Sequence, residues 1–193
     1  MNLEEITALE EEWLGKQGRL KYEWLKTQPK KRPNPGSLEE THRMCEETGI
    51  YQAWRIIFRE YVGLARTGDL EALKRAIFMV WYEWTEPNWL SGIDGLEEGL
   101  VEEVLHTVNA MAKEGRLDSE LQWMLPWYYK ITEYYLWRAD GLDDLKKASQ
   151  GDPYAYWEGC PKSSFDHRGQ LGRYWGGHQK ALSLDWGDMG VHL

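Results

Sequence analysis

Hydrophobic residues recur every three to four positions along most of the chain, which is the spacing of the buried face of an α-helix. No segment alternates polar and β-branched residues as a half-buried strand does. The clearest stripe, from about 96 to 113, consists of Leu100, Val101, Val104, Leu105, Val108, Met111 and Ala112. The pattern predicts an all-α protein, a single-domain multi-helix bundle with an irregular, Gly- and aromatic-rich C-terminal segment.

Helix start signals precede several of these stripes. Ser37 with Glu40 three residues later forms a capping box. Asp69 and Asp118 each stand where an N-cap is expected. The helix after Asp69 is predicted to run from Leu70 to about Trp84, and its second half is apolar on nearly all sides. Such a helix is typical of a central position, covered on more than one side.

Glycine and proline divide the chain. Gly15 and Gly18 are expected to separate a helix over about 3–14 from a second short helix around 20–25. Pro126 is expected to kink or divide the helix that Asp118 caps, because proline lacks the backbone donor. The organisation predicted is an N-terminal helical arm (1–28), a Pro-rich linker (29–36), a helical core (37–149) and an irregular C-terminal segment packed on the core (150–193).

The C-terminal segment is rich in Gly, Trp, Tyr and Ser and has no clear period. We expect it to wrap the bundle as loops with at most one short helix. Its glycine-bearing stretch, 169–178, follows no predicted strand and has the spacing of no phosphate-binding loop. This stretch is therefore interpreted as a flexible, aromatic-bearing surface segment.

Composition narrows the class of protein. The chain has 193 residues, 42% of them hydrophobic and 28% charged, with a net charge of −9, which is typical of a globular protein that favours basic partners. The longest apolar stretch, 76–82, is too short to cross a bilayer. The acidic N-terminus lacks the features of a secretory signal, and two cysteines form no disulfide framework. These features predict a cytoplasmic protein.

Most aromatic residues of the chain carry a polar atom, since there are 12 Trp and 11 Tyr but only 3 Phe. Rings that carry a polar atom suit half-buried positions and interfaces. The alternative, which we favour for any single tryptophan, is a helical core filled with large residues.

The densest mixed cluster lies where the helix after Asp69 ends. Indole faces attract cations, and carboxylates accept the forked donors of arginine. The partner-binding residues predicted on this basis are Trp81, Glu83, Trp84, Glu86, Trp89, Asp94, Glu97 and Glu98. We therefore predict a non-enzymatic acidic helical protein that binds a basic protein partner, and an immunity- or antitoxin-type inhibitor or regulator fits this description. No catalytic residue, cofactor or metal ligand is assigned, no membrane association is expected, and the oligomeric state is left open.

An enzyme or a metal-binding protein is one alternative. Glu83 and Glu86 lie three apart on one predicted helical face, as an acid/base pair does. The region from Cys160 to His178 offers a thiol and imidazoles, although its spacing is not that of a zinc site.

A nucleic-acid accessory protein is the other alternative. A basic run within 16–32 contains Lys16, Arg19, Lys21, Lys26, Lys30, Lys31 and Arg32. Tyr22 and Trp24 within it offer rings for base stacking. The competing interpretation, which we favour, is a solvated linker or an arm that docks on the acidic body.

Overall fold

The computed structural model describes residues 1–27, 37–153 and 165–183. In these ranges the helices are α1 (Leu3–Thr27), α2 (Leu38–Glu47), α3 (Ile50–Ala65), α4 (Leu70–Thr85), α5 (Asn88–Ser91), α6 (Glu98–Lys113), α7 (Ser119–Ile131), α8 (Asp143–Ala148) and α9 (Gly169–Ser183), with a 3₁₀ helix at Tyr134–Arg138. These ranges contain no strand. The prediction of an all-α, single-domain bundle is confirmed.

Helix α4 lies at the centre of the bundle. Every residue from Ala72 to Trp81 is buried, including Lys74 and Arg75. The helix packs against α3, α6, α7 and α9. Burial on all sides explains why the second half of its sequence is apolar nearly all round, as predicted.

The predicted N-caps are present. The side chains of Ser37, Asp69 and Asp118 each accept a hydrogen bond from the backbone N–H three residues further on, at 3.3, 2.9 and 2.9 Å. Each cap satisfies a donor that has no partner within its own helix. These helix starts could be predicted from the sequence because capping is a local interaction.

Helix α1 is one continuous helix, so the predicted break at Gly15 and Gly18 is wrong. A glycine inside a helix costs about 1 kcal/mol relative to alanine. That cost is outweighed because α1 packs against α2, α3 and α9 and buries Ile6 and Trp24. The N-terminal region is thereby part of the main core.

Pro126 lies inside α7 and does not divide it. The proline is buried, and the helix continues to Ile131 before the 3₁₀ helix begins. Tertiary packing therefore holds the helix through the missing hydrogen bond.

Residues 169–183 form helix α9 of 15 residues, longer than the short helix expected in this region. Gly169, Leu171, Gly172 and Trp175 are buried, so the interpretation of this stretch as a flexible surface segment is wrong. Glycine is needed at position 169 because α9 approaches α1 closely there. A Cβ on Gly169 would overlap the carboxylate of Glu10, and the φ of this glycine is +57°. Gly169 and Gly172 therefore mark close packing, whereas Gly176 and Gly177 have no atom within 4 Å of an added Cβ.

Across the described residues, we find no helix with the combined length and apolar character needed to traverse a bilayer.

Candidate partner-binding cleft

A cleft of about 560 Å³ opens at the C-terminal end of α4. We call it the acidic cleft, and its lining residues are Glu83, Trp84, Thr85, Glu86, Pro87, Asn88, Asp94, Glu98 and Arg138. Five of the residues predicted from sequence as partner contacts are in this lining: Glu83, Trp84, Glu86, Asp94 and Glu98.

The end of α4 shapes the acidic cleft. The helix stops at Thr85, and Glu86 is its C-cap with an extended backbone, ahead of Pro87. Proline disfavours helical geometry in the residue before it, which accounts for the stop. The last carbonyls of α4 carry partial negative charge and add to the negative potential of the carboxylates.

Arg138 is bound inside the acidic cleft. Its Nη1 donates to Glu83 Oε2, and its Nη2 lies 2.7 Å from Glu98 Oε1. Its Cζ is 6.0 Å from the centroid of the Trp84 ring. Only 7% of the Arg138 side chain is exposed. The cleft therefore holds one guanidinium with two carboxylates and an indole, the arrangement that favours arginine over other side chains.

Glu83 and Glu86 have different surroundings. Glu83 is nearly buried, and its second oxygen accepts a hydrogen bond of 2.9 Å from the backbone N–H of Leu96. Glu86 makes no ion pair or hydrogen bond through its side chain with any residue that the structure describes. Because Glu86 lies past the helix end, the two carboxylates do not share a helical face, contrary to the arrangement expected for an acid/base pair.

The charge of Glu86 reaches the neighbouring phenols. Burial raises the pKa of Tyr82, and the negative charge of Glu86 raises it further. Burial likewise raises the pKa of Tyr174 to about 12, again with a contribution from Glu86. Glu86 is thus an uncompensated negative charge in the cleft wall.

Asp94 is held in place from two sides. Asn88 Nδ2 donates to its Oδ1, and Arg55 Nε donates to its backbone carbonyl at 2.8 Å. Arg55 Nη2 also lies 3.8 Å from Asp94 Oδ2. This side of the cleft is therefore held by contacts within the chain.

Three predicted contact residues lie outside the acidic cleft. Trp81 is wholly buried, and its indole donates to the Tyr128 carbonyl at 3.0 Å, so its assignment as a partner contact is wrong. Trp89 is only partly buried and packs against the core. Glu97 is exposed, and its Oε2 lies 3.4 Å from Arg59 Nη2.

Exposed rings occur in the cleft lining and in the 3₁₀ helix that carries Arg138. Trp84 is 52% exposed, and Trp137, next to Arg138 in the 3₁₀ helix, is 67% exposed. The ring of Trp137 lies 4.5 Å from that of Tyr134, which is also exposed. Large aromatic side chains open to solvent beside a polar cleft are typical of interaction surfaces.

The basic run is only partly in the described residues, because Lys30, Lys31 and Arg32 lie outside them. Trp24 is buried and donates to Glu47 at 2.7 Å, which removes it as a stacking platform. Lys26 lies 4.2 Å over the ring of the exposed Tyr22.

The enzyme and metal alternatives depend in part on residues outside the described ranges. Cys160 and the side chain of His178 lie outside it. Elsewhere, within residues 1–27, 37–153 and 165–177, no group of three or more His, Cys, Asp or Glu side chains converges as a metal site.

Comparison with known proteins adds no relative: the chain matches no protein-family model, no curated protein and no solved structure.

Proposed function

We propose that the protein is a non-enzymatic binding protein whose acidic cleft captures an arginine or lysine side chain of a basic protein partner. The observation that carries this proposal is the binding of Arg138 between Glu83 and Glu98 over the ring of Trp84. An internal arginine shows which chemistry the cleft accommodates, and a partner supplies a second cation to the same wall.

Charge supports a second cation. The cleft is lined by four carboxylates and one guanidinium, so Arg138 leaves it negative. Glu86 is the carboxylate without a cationic partner in the described structure, and it lies at the negative end of α4. In a chain of net charge −9, such a cleft accelerates encounter with a basic surface.

Apolar surface supports a protein as the source of that cation. A free ion needs no aromatic contact, whereas a protein interface is anchored by buried aromatic side chains with a polar rim. Trp84 provides an exposed ring beside the carboxylates, and Trp137, next to Arg138 in the 3₁₀ helix, is also exposed. An inhibitor or immunity-type regulator that covers a basic site on its target is a function of this kind.

The proposal is tested by titrating the full chain with an end-blocked arginine peptide and with its citrulline counterpart, which has nearly the same shape and no charge. Calorimetry or NMR should detect the arginine peptide alone. Trp84→Ala should weaken its binding about two- to fivefold, the contribution of an exposed cation–π contact.

Glu102→Gln is the matched control, because Glu102 is exposed on α6 outside the acidic cleft. It should bind the arginine peptide like the wild type. Equal binding of arginine and citrulline peptides, or equal losses from Trp84→Ala and Glu102→Gln, would refute the proposal.

A further inference from the structure

A second cleft, of about 420 Å³, lies between α1, α5 and α9. We call it the basic cleft, and the residues that matter in its lining are Gln17, Lys21, Tyr82, Gln170, Arg173 and Tyr174. Its volume falls in the range of small-molecule sites, about 300–1,000 Å³. Unlike the acidic cleft, it has two cationic side chains and no carboxylate in its lining.

Lys21 is the first indication of a ligand. Its Nζ donates to the carbonyl of Trp89, and no carboxylate pairs with it in the described part of the chain. Burial lowers the pKa of Lys21, as happens when an ammonium loses water without gaining a counter-ion. An ammonium has three donors, so two remain for an anion.

Arg173 supplies a second cation from α9. Its Nη2 lies 3.1 Å from Glu11 Oε2, and more than half of its side chain is exposed. One contact of this length leaves most of the guanidinium's five donors available. Lys21 and Arg173 therefore border the cleft from opposite helices, α1 and α9.

Gln170 adds a buried acceptor without a partner. Only 6% of this residue is exposed, its Nε2 donates to the Ser91 carbonyl, and its Oε1 has no hydrogen-bond partner. In Gln17, by contrast, both amide atoms are paired. Its Nε2 donates to the Leu90 carbonyl at 2.7 Å, and its Oε1 accepts from Trp54 Nε1 at 3.3 Å. A buried orphan acceptor costs stability unless a donor reaches it, and a ring hydroxyl or a protonated phosphate oxygen of a bound ligand is one source of that donor.

The walls between these polar groups are aromatic. The rings of Tyr82 and Tyr174 lie 5.6 Å apart at 72°, in an edge-to-face arrangement. Leu14 and Leu90 extend the apolar surface. A planar ring fits such walls better than a fully hydrated inorganic ion does.

We propose that the basic cleft binds a small organic anion, an aromatic ring that carries a carboxylate or a phosphate. The anionic group lies at Lys21 and Arg173, and the ring packs against Tyr82 and Tyr174. This site is separate from the proposed partner contact, because none of its lining residues lines the acidic cleft.

The test is a titration of the full chain with phenyl phosphate, benzoate and inorganic phosphate, followed by calorimetry or NMR. At least one ring-bearing anion should bind more tightly than inorganic phosphate, and the stronger of the two identifies the anionic group. Lys21→Gln and Arg173→Gln should each weaken binding about tenfold or more, as expected for loss of a charged hydrogen bond.

Three further variants keep the result interpretable. Lys26→Gln removes an exposed lysine of the same helix and should leave anion binding unchanged. Lys21→Arg retains the cation and should retain most of the affinity for the anion. This variant keeps the site testable if Lys21→Gln fails to fold. Glu86→Gln removes a negative charge near Tyr82 and Tyr174. It should not weaken anion binding, although it should weaken binding of the arginine peptide to the acidic cleft.

Absence of binding by either ring-bearing anion at millimolar concentration would overturn the proposal. So would an equal loss of affinity in Lys21→Gln and Lys26→Gln, because the contribution would then be long-range charge and not a site.

Discussion

Glutamate, arginine and an aromatic ring meet in two regions of the molecule, a closed network beneath α9 and the open acidic cleft at the end of α4. In the closed network, Tyr61 donates to Glu10 Oε2 at 2.5 Å, and Arg75 Nη1 lies 3.4 Å from the same oxygen. The backbone N–H of Gln170 donates to the other Glu10 oxygen at 2.9 Å. Glu10 and Arg75 are almost wholly buried.

The network continues through further ion pairs. Arg168 Nη2 lies 2.6 Å from Glu71 Oε2, and its Nη1 pairs with Glu120. Lys74 Nζ lies 2.5 Å from both Glu120 and Asp118. Helices α1, α3, α4, α7 and α9 are thus tied together by charges that the chain itself satisfies.

The difference between the regions lies in what remains unsatisfied. The network buries Glu10 and Arg75 and pairs its other charges with one another, whereas the acidic cleft leaves Glu86 without a cation and the ring of Trp84 half exposed. The same side-chain types therefore pair within the fold in one place and line the proposed binding surface in the other. Burial and pairing decide the role, and residue type does not.

The largest effect should come from breaking the closed network. Arg75→Met leaves Glu10 buried without its guanidinium, and removing one partner of a buried pair costs about 3–5 kcal/mol. Urea denaturation should show this loss in the free energy of unfolding. A loss no larger than that of Arg43→Met, an exposed arginine of α2, would show that the network does not stabilise the fold.

The next effect tests how α9 docks. Gly169→Ala should destabilise the protein by about 2–4 kcal/mol, because its Cβ would overlap Glu10 and its φ is positive. Gly176→Ala is the matched control in the same helix, with no atom within 4 Å of the added Cβ. It should stabilise the protein by about 0.5–1 kcal/mol, since alanine is the better helix former. Thermal denaturation that moves both variants in one direction would contradict this packing.

A smaller effect depends on pH. Burial opposes the ionisation of Glu120, but hydrogen bonds from Arg168 and Lys74 outweigh it and hold the pKa below the ordinary 4.5. A lowered pKa stabilises the fold above the ordinary value, and this contribution is lost as the pH falls through the lowered one.

Glu120→Gln should therefore cost about 1–2 kcal/mol at neutral pH, and the gap from wild type should narrow below pH 4.5. Urea denaturation across this range measures the gap, with Glu102→Gln as the exposed control. A gap that stays constant with pH would mean that Glu120 contributes no charge-dependent stability.

Local signals explain which parts of the fold were predictable. The caps at Ser37, Asp69 and Asp118 and the stripe of α6 depend on neighbours within one or two helical turns. The continuity of α1 through Gly15 and Gly18 depends on packing against distant helices, so periodicity alone could not reveal it.

The acidic cleft was predictable in part for the same reason. Most of its lining lies in one short stretch, 83–98, so the cluster is visible along the chain. Arg138 is 55 residues from Glu83, and no local pattern links them.

Glu10 stands in a run of three glutamates, a pattern typical of a solvent-exposed face, yet it is 2% exposed. Its partners Tyr61, Arg75 and Gln170 are 51, 65 and 160 residues away. Only the folded chain brings these charges together.

The most direct test of the central claim is the affinity of Glu86→Lys for the arginine peptide, measured by NMR titration beside its free energy of unfolding. We expect the affinity to fall at least about tenfold, because the unpaired carboxylate becomes a repelling cation. The free energy of unfolding should change by no more than about 0.5 kcal/mol, since the Glu86 side chain makes no hydrogen bond or ion pair within the described residues. Undiminished affinity for the arginine peptide in this variant would contradict the assignment of the acidic cleft as the binding site.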